Sequence, residues 1–165
     1  MGGNLTWGWL GCAGWKVLVY ALAAQMEIGR LFKKAAVDGD VGELRRMVTL
    51  GVGVNVRGPG GCTALHQAAG YGHMEALKAL VELGADMAAK DNCGGTPLHV
   101  GAFLGQVEAM KVLVEQLGAD MEATADDGQT PLHLAAYNGQ VEAIKLLAEL
   151  EAELEAKTAY GRTPP

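Results

Sequence analysis

The chain has 165 residues, of which 50% are apolar, 19% charged and 5% aromatic, and its formal net charge is −6. A chain of this length can fold as one domain, its apolar content excludes disorder, and its three cysteines do not make a disulfide scaffold. An acidic protein has no general attraction for nucleic-acid phosphates. We therefore expect a cytoplasmic protein, with the nucleus as the alternative, whose partner is not a nucleic acid.

The N-terminal stretch, residues 1–28, forms a leader that differs from the rest of the chain. Residues 1–24 contain all three tryptophans and a single charged side chain, Lys16. The longest uncharged apolar run of the leader is far shorter than the roughly 20 residues of a membrane span, so no span is expected. Four interpretations remain open: a secretory signal cleaved near residues 21–23, an N-myristoylation signal in residues 1–6, translation starting at Met26, or an apolar cap over the next unit.

A repeated tetrapeptide organises the chain beyond the leader. Thr-Ala-Leu-His or Thr-Pro-Leu-His stands at residues 63–66, 96–99 and 130–133, and Thr-Pro recurs at 163–164. The threonines are evenly spaced along the sequence, except that the middle step holds one extra residue. That residue lies within 114–118, where five residues replace the four at 81–84. A constant period of this length is typical of repeat proteins.

The same spacing extends backwards, because Gly39 and Gly51 precede Gly72 and Gly84 by one full period. The first unit has therefore kept its glycines and lost its tetrapeptide. We divide the chain into a leader (1–28), a degenerate first unit (29–57), three complete units (58–90, 91–124 and 125–157) and the start of a truncated unit (158–165). We expect the chain to be a fragment or a truncated product.

Each unit is predicted to contain two short helices and a turn. The threonine can cap the first helix, and proline at the first helical position sacrifices no hydrogen bond. The second stretch, for example residues 141–147, has amphipathic helical spacing. Gly118 then stands where a left-handed residue closes a helix, whereas the last complete unit has Glu151 there, at a cost of about 1 kcal/mol. Such small helix pairs bury their apolar faces only when stacked.

Two longer motifs carry a family resemblance: Asp-Asn-Cys-Gly-Gly-Thr-Pro-Leu-His at residues 91–99 and Asp-Gly-Gln-Thr-Pro-Leu-His-Leu-Ala-Ala at residues 127–136. The Gly-Ala-Asp strings at 84–86 and 118–120 add to it. Together with the constant period, they make residues 29–165 resemble the ankyrin-repeat family. The resemblance implies an all-α solenoid of helix–turn–helix units with β-hairpin-like fingers. It also implies a concave face, made of finger tips and first helices, that binds other proteins without catalytic residues or cofactors.

The resemblance places partner contacts on the finger tips and on the outward face of each first helix. The predicted partner-binding residues are Tyr71, Asn92, Phe103, Leu104, Asp126, Asp127, Gln129, Tyr137 and Asn138. The same mapping includes Pro59, Gly60, Cys62, Gly70, Cys93 and Gly95. The three aromatic rings are predicted to form an exposed row, the alternative being that they pack beneath the adjacent finger. We expect a monomeric chain whose protein partner presents an apolar anchor flanked by basic residues.

Other motifs are interpreted as structural. His66, His99 and His133 recur one unit apart, about 10 Å along a helix stack, which is too far to share a zinc ion. We expect them to bond neighbouring backbone. Cys62 and Cys93, on adjacent fingers, are expected beyond the roughly 7 Å Cα limit for a disulfide. We predict no catalytic residue, metal or cofactor, and a non-catalytic interaction module or scaffold. The alternative is a regulatory fragment of a larger enzyme, kinase or channel.

Overall fold

A computed structural model describes residues 27–164 of the chain. The interpretations offered for residues 1–26, including the signal, the lipid anchor and the start at Met26, lie outside the described residues. Within the described range eight α-helices follow one another: α1 (27–38), α2 (Val41–Thr49), α3 (Ala64–Tyr71), α4 (Met74–Glu82), α5 (Pro97–Phe103), α6 (Val107–Lys111), α7 (Pro131–Tyr137) and α8 (Val141–Glu149). Helix α1 includes residues 27 and 28, which the sequence pattern assigned to the leader.

The helices pair within each unit and stack between units. The first helices α3, α5 and α7 pack side by side, and the second helices follow the same order beside them. Between residues 27 and 164 no β-strand occurs, and the loops between units consist of turns. The predicted all-α stack of repeated helix pairs is therefore confirmed.

Apolar side chains at repeated positions hold the stack together. The buried position before the repeated histidine, or its equivalent, is occupied by Phe32, Leu65, Leu98 and Leu132. The second helices bury Met47, Leu80, Leu113 and Leu147 at another repeated position. All of these residues belong to one continuous apolar cluster. Since burying a side chain of this size contributes about 1.5–3 kcal/mol, each unit depends on its neighbours for stability.

The repeated threonine and histidine cap the first helices and link the units. In α5, the backbone N–H of Thr96 donates to Nδ1 of His99 at 3.1 Å, and the threonine hydroxyl lies 2.9 Å from the same nitrogen. Nδ1 is thus an acceptor, which puts the proton on Nε2, and Nε2 donates to the carbonyl of Gln129 at 3.0 Å. His66 and His133 bond Gly95 and Arg162 in the same way, at 3.1 Å each. The structural role predicted for these histidines is confirmed.

Left-handed residues close the second helices as the repeat predicts. Gly84 and Gly118 have φ values of +91° and +75°, and Glu151 has a φ of +63° at the equivalent position. Each residue turns the chain out of its helix and into the next finger. The predicted left-handed glutamate is therefore present.

Candidate functional site

The loops that join one unit to the next are fingers, each ending in a five-residue tip. The four tips are residues 58–62, 91–95, 125–129 and 158–162. Each tip is closed by a hydrogen bond of 2.9 Å from the N–H of its first residue to the carbonyl of its fifth, as between Asp91 and Gly95. These bonds give the fingers a hairpin-like shape without strands, as the family resemblance implied.

Neighbouring tips are joined by backbone hydrogen bonds into what we call the finger-tip row. The N–H of Asn92 donates to the carbonyl of Gly60 at 2.9 Å, and that of Asp126 donates to Cys93 at 3.1 Å. The N–H of Ala159 completes the series by donating to the carbonyl of Asp127 at 2.9 Å. The tips of four fingers are therefore one continuous surface.

Two aspartates shape the tips from within. Asp91 Oδ1 accepts hydrogen bonds from the N–H groups of Cys93 at 2.8 Å and Gly95 at 2.9 Å. Asp127 accepts from the backbone N–H of Gln129 at 3.1 Å and from its side-chain amide at 2.8 Å. Asp127 and Gln129 lie on a tip, as predicted. Both are half-buried, and their side chains are hydrogen-bonded to each other. Asp126 is exposed, and no hydrogen bond of its carboxylate occurs among the described residues.

A cavity of about 570 Å³ lies between the second and third tips and the helices α5 and α7; we call it the groove. Val100 and Phe103 of α5 and Leu134 of α7 supply apolar side chains to its lining. Its remaining lining comes from His99 and the tips: Asp91, Cys93, Gly95, Ala125, Asp126, Asp127 and Gln129. The groove thus combines an apolar floor with three carboxylates, the combination that fits an apolar group flanked by cations.

The structure brings four of the nine predicted residues into the groove and leaves five outside it. Phe103, Asp126, Asp127 and Gln129 line it, whereas Tyr71, Asn92, Leu104, Tyr137 and Asn138 do not. The rings of Tyr71, Phe103 and Tyr137 are 57%, 43% and 78% exposed. The alternative that these rings are buried beneath adjacent fingers is therefore wrong.

The predicted row of three aromatic rings needs correction at Tyr71. Phe103 and Tyr137 occupy equivalent positions, seven residues after their threonines, but that position in the second unit is the buried Gly70. A β-carbon at Gly70 would lie 3.0 Å from a side-chain carbon of Val100 and 3.2 Å from one of Leu104, so a larger residue there would have to displace these side chains. Tyr71 comes one residue later and stacks on His73, with 6.3 Å between ring centroids, while His73 contacts the carbonyl of Val37 at 2.7 Å. Tyr71 therefore belongs to the junction between the first two units.

Sequence reasoning missed Val100 and Leu134 as part of the site. Both directly follow the repeated histidine, and the earlier units have Lys34 and Gln67 at that position. A change from charged and polar to apolar at one repeated position was the available signal. It was missed because only the end of each first helix was mapped onto the partner-binding face.

Burial shifts the pKa of two histidines and one cysteine beside the finger tips. Burial lowers the pKa of His66 and His99, outweighing the opposing effect of their backbone hydrogen bonds. Burial, reinforced by Asp91, raises the pKa of the Cys62 thiol, which disfavours a reactive thiolate. In the part of the chain that the structure describes, no three histidine, cysteine or acidic residues are grouped closely enough to hold a metal ion. None of the helices between residues 27 and 164 is long and apolar enough to cross a membrane.

A family model described as ankyrin repeats, in three copies, matches residues 32–125 and 116–164, which together make up most of the chain. No curated protein matches the sequence. The matched residues include every finger tip and the whole of the groove.

Proposed function

Because the chain belongs to the ankyrin-repeat family, whose repeats are generally protein–protein interaction modules, we propose that it binds a partner protein through the groove. The family is typically non-catalytic. The proposal rests above all on one observation, the exposed ring of Phe103 at the edge of an apolar groove with an acidic rim.

Phe103 is free to contact a partner because other residues form the core of its helix. Leu98 and Ala102 of α5 are buried in the core, at 1% and 0% exposure. Aromatic side chains at the edge of a pocket are frequent binding hot spots, since they bury a large area at a small cost in conformational entropy. Val100 and Leu134 extend the same apolar surface into the groove.

The carboxylates of the rim determine which apolar group fits best. Asp91, Asp126 and Asp127 surround the apolar floor, and among the described residues no lysine or arginine forms an ion pair with them. A lysine or arginine of the partner gains a favourable Coulomb interaction there, while an acidic residue is repelled. The proposed partner therefore carries an apolar anchor flanked by basic residues.

The test uses Phe103→Ala on a partner identified by affinity purification and mass spectrometry. We expect binding to weaken by about 2 kcal/mol, roughly 30-fold in Kd by calorimetry, with little change in the thermal midpoint. Leu50→Ala is the matched control, because Leu50 is 71% exposed and lies outside the groove. Its affinity should equal that of the unaltered chain.

A second variant keeps the proposal testable should Phe103→Ala unfold the chain. Asp126→Arg alters an exposed carboxylate and should weaken binding about tenfold through repulsion of the basic partner residues, with an unchanged circular dichroism spectrum. If a folded Asp126→Arg chain keeps full affinity for the partner, or if folded Phe103→Ala does, the groove is not the binding site.

A further inference from the structure

Two cations converge on the first finger tip, which lies one tip away from the acidic rim along the finger-tip row. Lys33 of α1 reaches across to this tip, where its ammonium fills the space that a side chain at Gly58 would need. A β-carbon at Gly61 would lie 2.6 Å from Nη2 of Arg57. Gly58 and Gly61 are joined by a hydrogen bond of 2.9 Å, so the two cations flank one tight turn.

Within residues 27–164, neither cation belongs to an ion pair. Arg30 and Lys34, on the same helix as Lys33, pair with Glu27 and Asp38 respectively. Among the described carboxylates none lies within ion-pair distance of Lys33 or Arg57. Two positive charges without an ion-pair partner in the described part of the chain therefore lie at this end of the row.

The helix position that lines the groove changes in the same direction along the stack. It is occupied by Lys34, Gln67, Val100 and Leu134 in successive units. The other cations of the row do not alter the trend: Lys90 Nζ donates to the carbonyl of Thr124 at 2.9 Å, and Arg162 lies on the fourth tip, beyond the groove. The surface thus runs from basic at the first tip to apolar and acidic at the second and third.

We propose that this surface binds one extended segment of a partner protein in a fixed polarity. This proposal rests on the proposed function and adds a second contact to it. Aspartate or glutamate side chains of the segment lie against Lys33 and Arg57, and its apolar anchor, flanked by lysine or arginine, occupies the groove. The continuous finger-tip row supports a single segment, because its hydrogen-bonded tips leave no gap between the two contacts.

The spacing of the helices sets the length of the segment. Neighbouring units stack about 8–10 Å apart, as packed helices do, and the groove lies between the second and third tips. It is therefore about one and a half spacings from the first tip, where both cations lie, which puts the two contacts about 12–15 Å apart. An extended chain covers about 3.4 Å per residue, so about four residues separate the acidic and the apolar groups of the segment.

The experiment uses fluorescent synthetic peptides with the full chain. One probe carries Glu-Glu, a Gly-Ser-Gly spacer and Lys-Trp-Lys; a second has the opposite chain direction, and matched versions replace both glutamates with glutamine. Measured by fluorescence anisotropy, at least one acidic probe should bind about tenfold more tightly than its glutamine version. In Lys33→Gln/Arg57→Gln this preference should disappear, while the affinity for the glutamine probe stays unchanged.

The matched control is Lys78→Gln/Lys111→Gln. It also removes two positive charges, but from the second helices α4 and α6, where each lysine pairs with a glutamate. This control should keep the preference for the acidic probe. The proposed polarity is wrong if the unaltered chain binds acidic and glutamine probes with equal affinity. It is also wrong if the control variant loses the preference for the acidic probe as fully as Lys33→Gln/Arg57→Gln does. Arg57→Glu, an exposed single change, should reverse the preference, and a circular dichroism spectrum checks that each variant is folded.

The same measurements separate this proposal from the proposed function. If the glutamine probes bind in a Phe103-dependent manner but the glutamates do not increase the affinity, the groove is a binding site and the proposed polarity is wrong. If no probe binds at millimolar concentration, the groove does not recognise an apolar anchor flanked by basic residues, and the proposed polarity is wrong as well.

Discussion

Glu151 shows how one residue departs from the repeat while the backbone keeps its course. It follows α8 with a φ of +63°, where the other units have Gly51, Gly84 and Gly118. The N–H of Ala152 still donates to the carbonyl of Leu147 at 2.9 Å, equivalent to the bond from Ala85 to Leu80. The left-handed conformation is therefore imposed by the end of the helix, and the β-carbon of glutamate makes it costly.

We predict that Glu151→Gly stabilises the chain by about 1 kcal/mol, because glycine adopts a positive φ without strain. The measurement is the free energy of unfolding from urea denaturation followed by circular dichroism.

Glu149→Gly provides the control for this prediction. It removes the same charge two residues earlier, but from within α8, where glycine costs about 1 kcal/mol. The two variants should therefore shift the urea midpoint in opposite directions. Parallel shifts would mean that loss of negative charge, rather than backbone strain, determines the result.

At the scale of an element, the inserted residue of the third unit (91–124) is absorbed by a change of helix type. Residues Val112–Gln116 form a π-helical segment that continues α6. There the N–H of Leu117 donates to the carbonyl of Val112 at 3.0 Å, whereas Leu83 in the preceding unit donates to Ala79, four residues back. Such a segment holds one more residue than an α-helix between the same ends. The helix consequently still ends at Gly118, which is left-handed like Gly84, and the N–H of Ala119 donates to Leu113 at 2.8 Å as that of Ala85 donates to Leu80 at 2.9 Å.

We predict that deletion of Gln116 restores a regular α-helix and an even repeat period without loss of stability. Gln116 is exposed, and no buried side chain is removed. The free energy of unfolding should fall by no more than about 0.5 kcal/mol, or should rise.

Deletion of Lys78 from α4 is the comparison. This helix has no extra residue, so the deletion turns the buried residues that follow by about 100° and should cost about 3 kcal/mol or more. Equal losses for the two deletions would contradict the view that the π segment exists to accommodate an insertion.

At the scale of the whole molecule, the repeated histidines link three successive junctions. Each donates from Nε2 to a carbonyl of the following unit, and its Nδ1 accepts from the threonine at the start of its own helix. Protonation of Nδ1 would place its hydrogen directly opposite the hydrogen of the threonine N–H, and the hydrogen bond between the two groups would be lost. The linkage therefore requires neutral imidazole, and burial lowers the pKa of His66 and His99 accordingly.

We predict that the stack loses stability as the pH falls from 7.5 to 5.0. The folded-state pKa of His66 and His99 lies below the ordinary value of 6.5, so the unfolded chain binds more protons in this window. The contribution is fully present above pH 6.5 and is lost as the pH falls towards the folded pKa. Glu27 and Glu43, whose pKa values lie below 4.5 because of hydrogen bonds to Arg30 and Arg46, act only at lower pH.

The check is the urea midpoint as a function of pH, compared between the unaltered chain and His66→Gln/His99→Gln. The double variant should be less stable at pH 7.5, and its stability should change less between pH 7.5 and 5.0. A pH dependence of the same size in both proteins would assign the effect to other groups.

The sequence alone was sufficient for features that repeat inside one unit or between adjacent units. It predicted the capping threonines, the left-handed Gly118 and Glu151, and the site of the inserted residue near Gln116. Each depends on local backbone preferences, which act over a few residues. It also predicted the linking role of His99, because histidines that recur one unit apart are too distant to share a metal ion and were expected to bond neighbouring backbone.

Only the tertiary structure decided which surface residues share a site. The groove joins Val100 with Leu134 and Asp126 of the next unit, and Lys33 and Arg57 reach the first tip from distant positions in the sequence. Tyr71 was predicted to align with Phe103. Because a shift of one residue turns a helical side chain by about 100°, Tyr71 stacks on His73 instead. The period fixes where each unit buries its apolar face. The exposed surface has no such repeated constraint, so its contacts emerge only when the units are stacked.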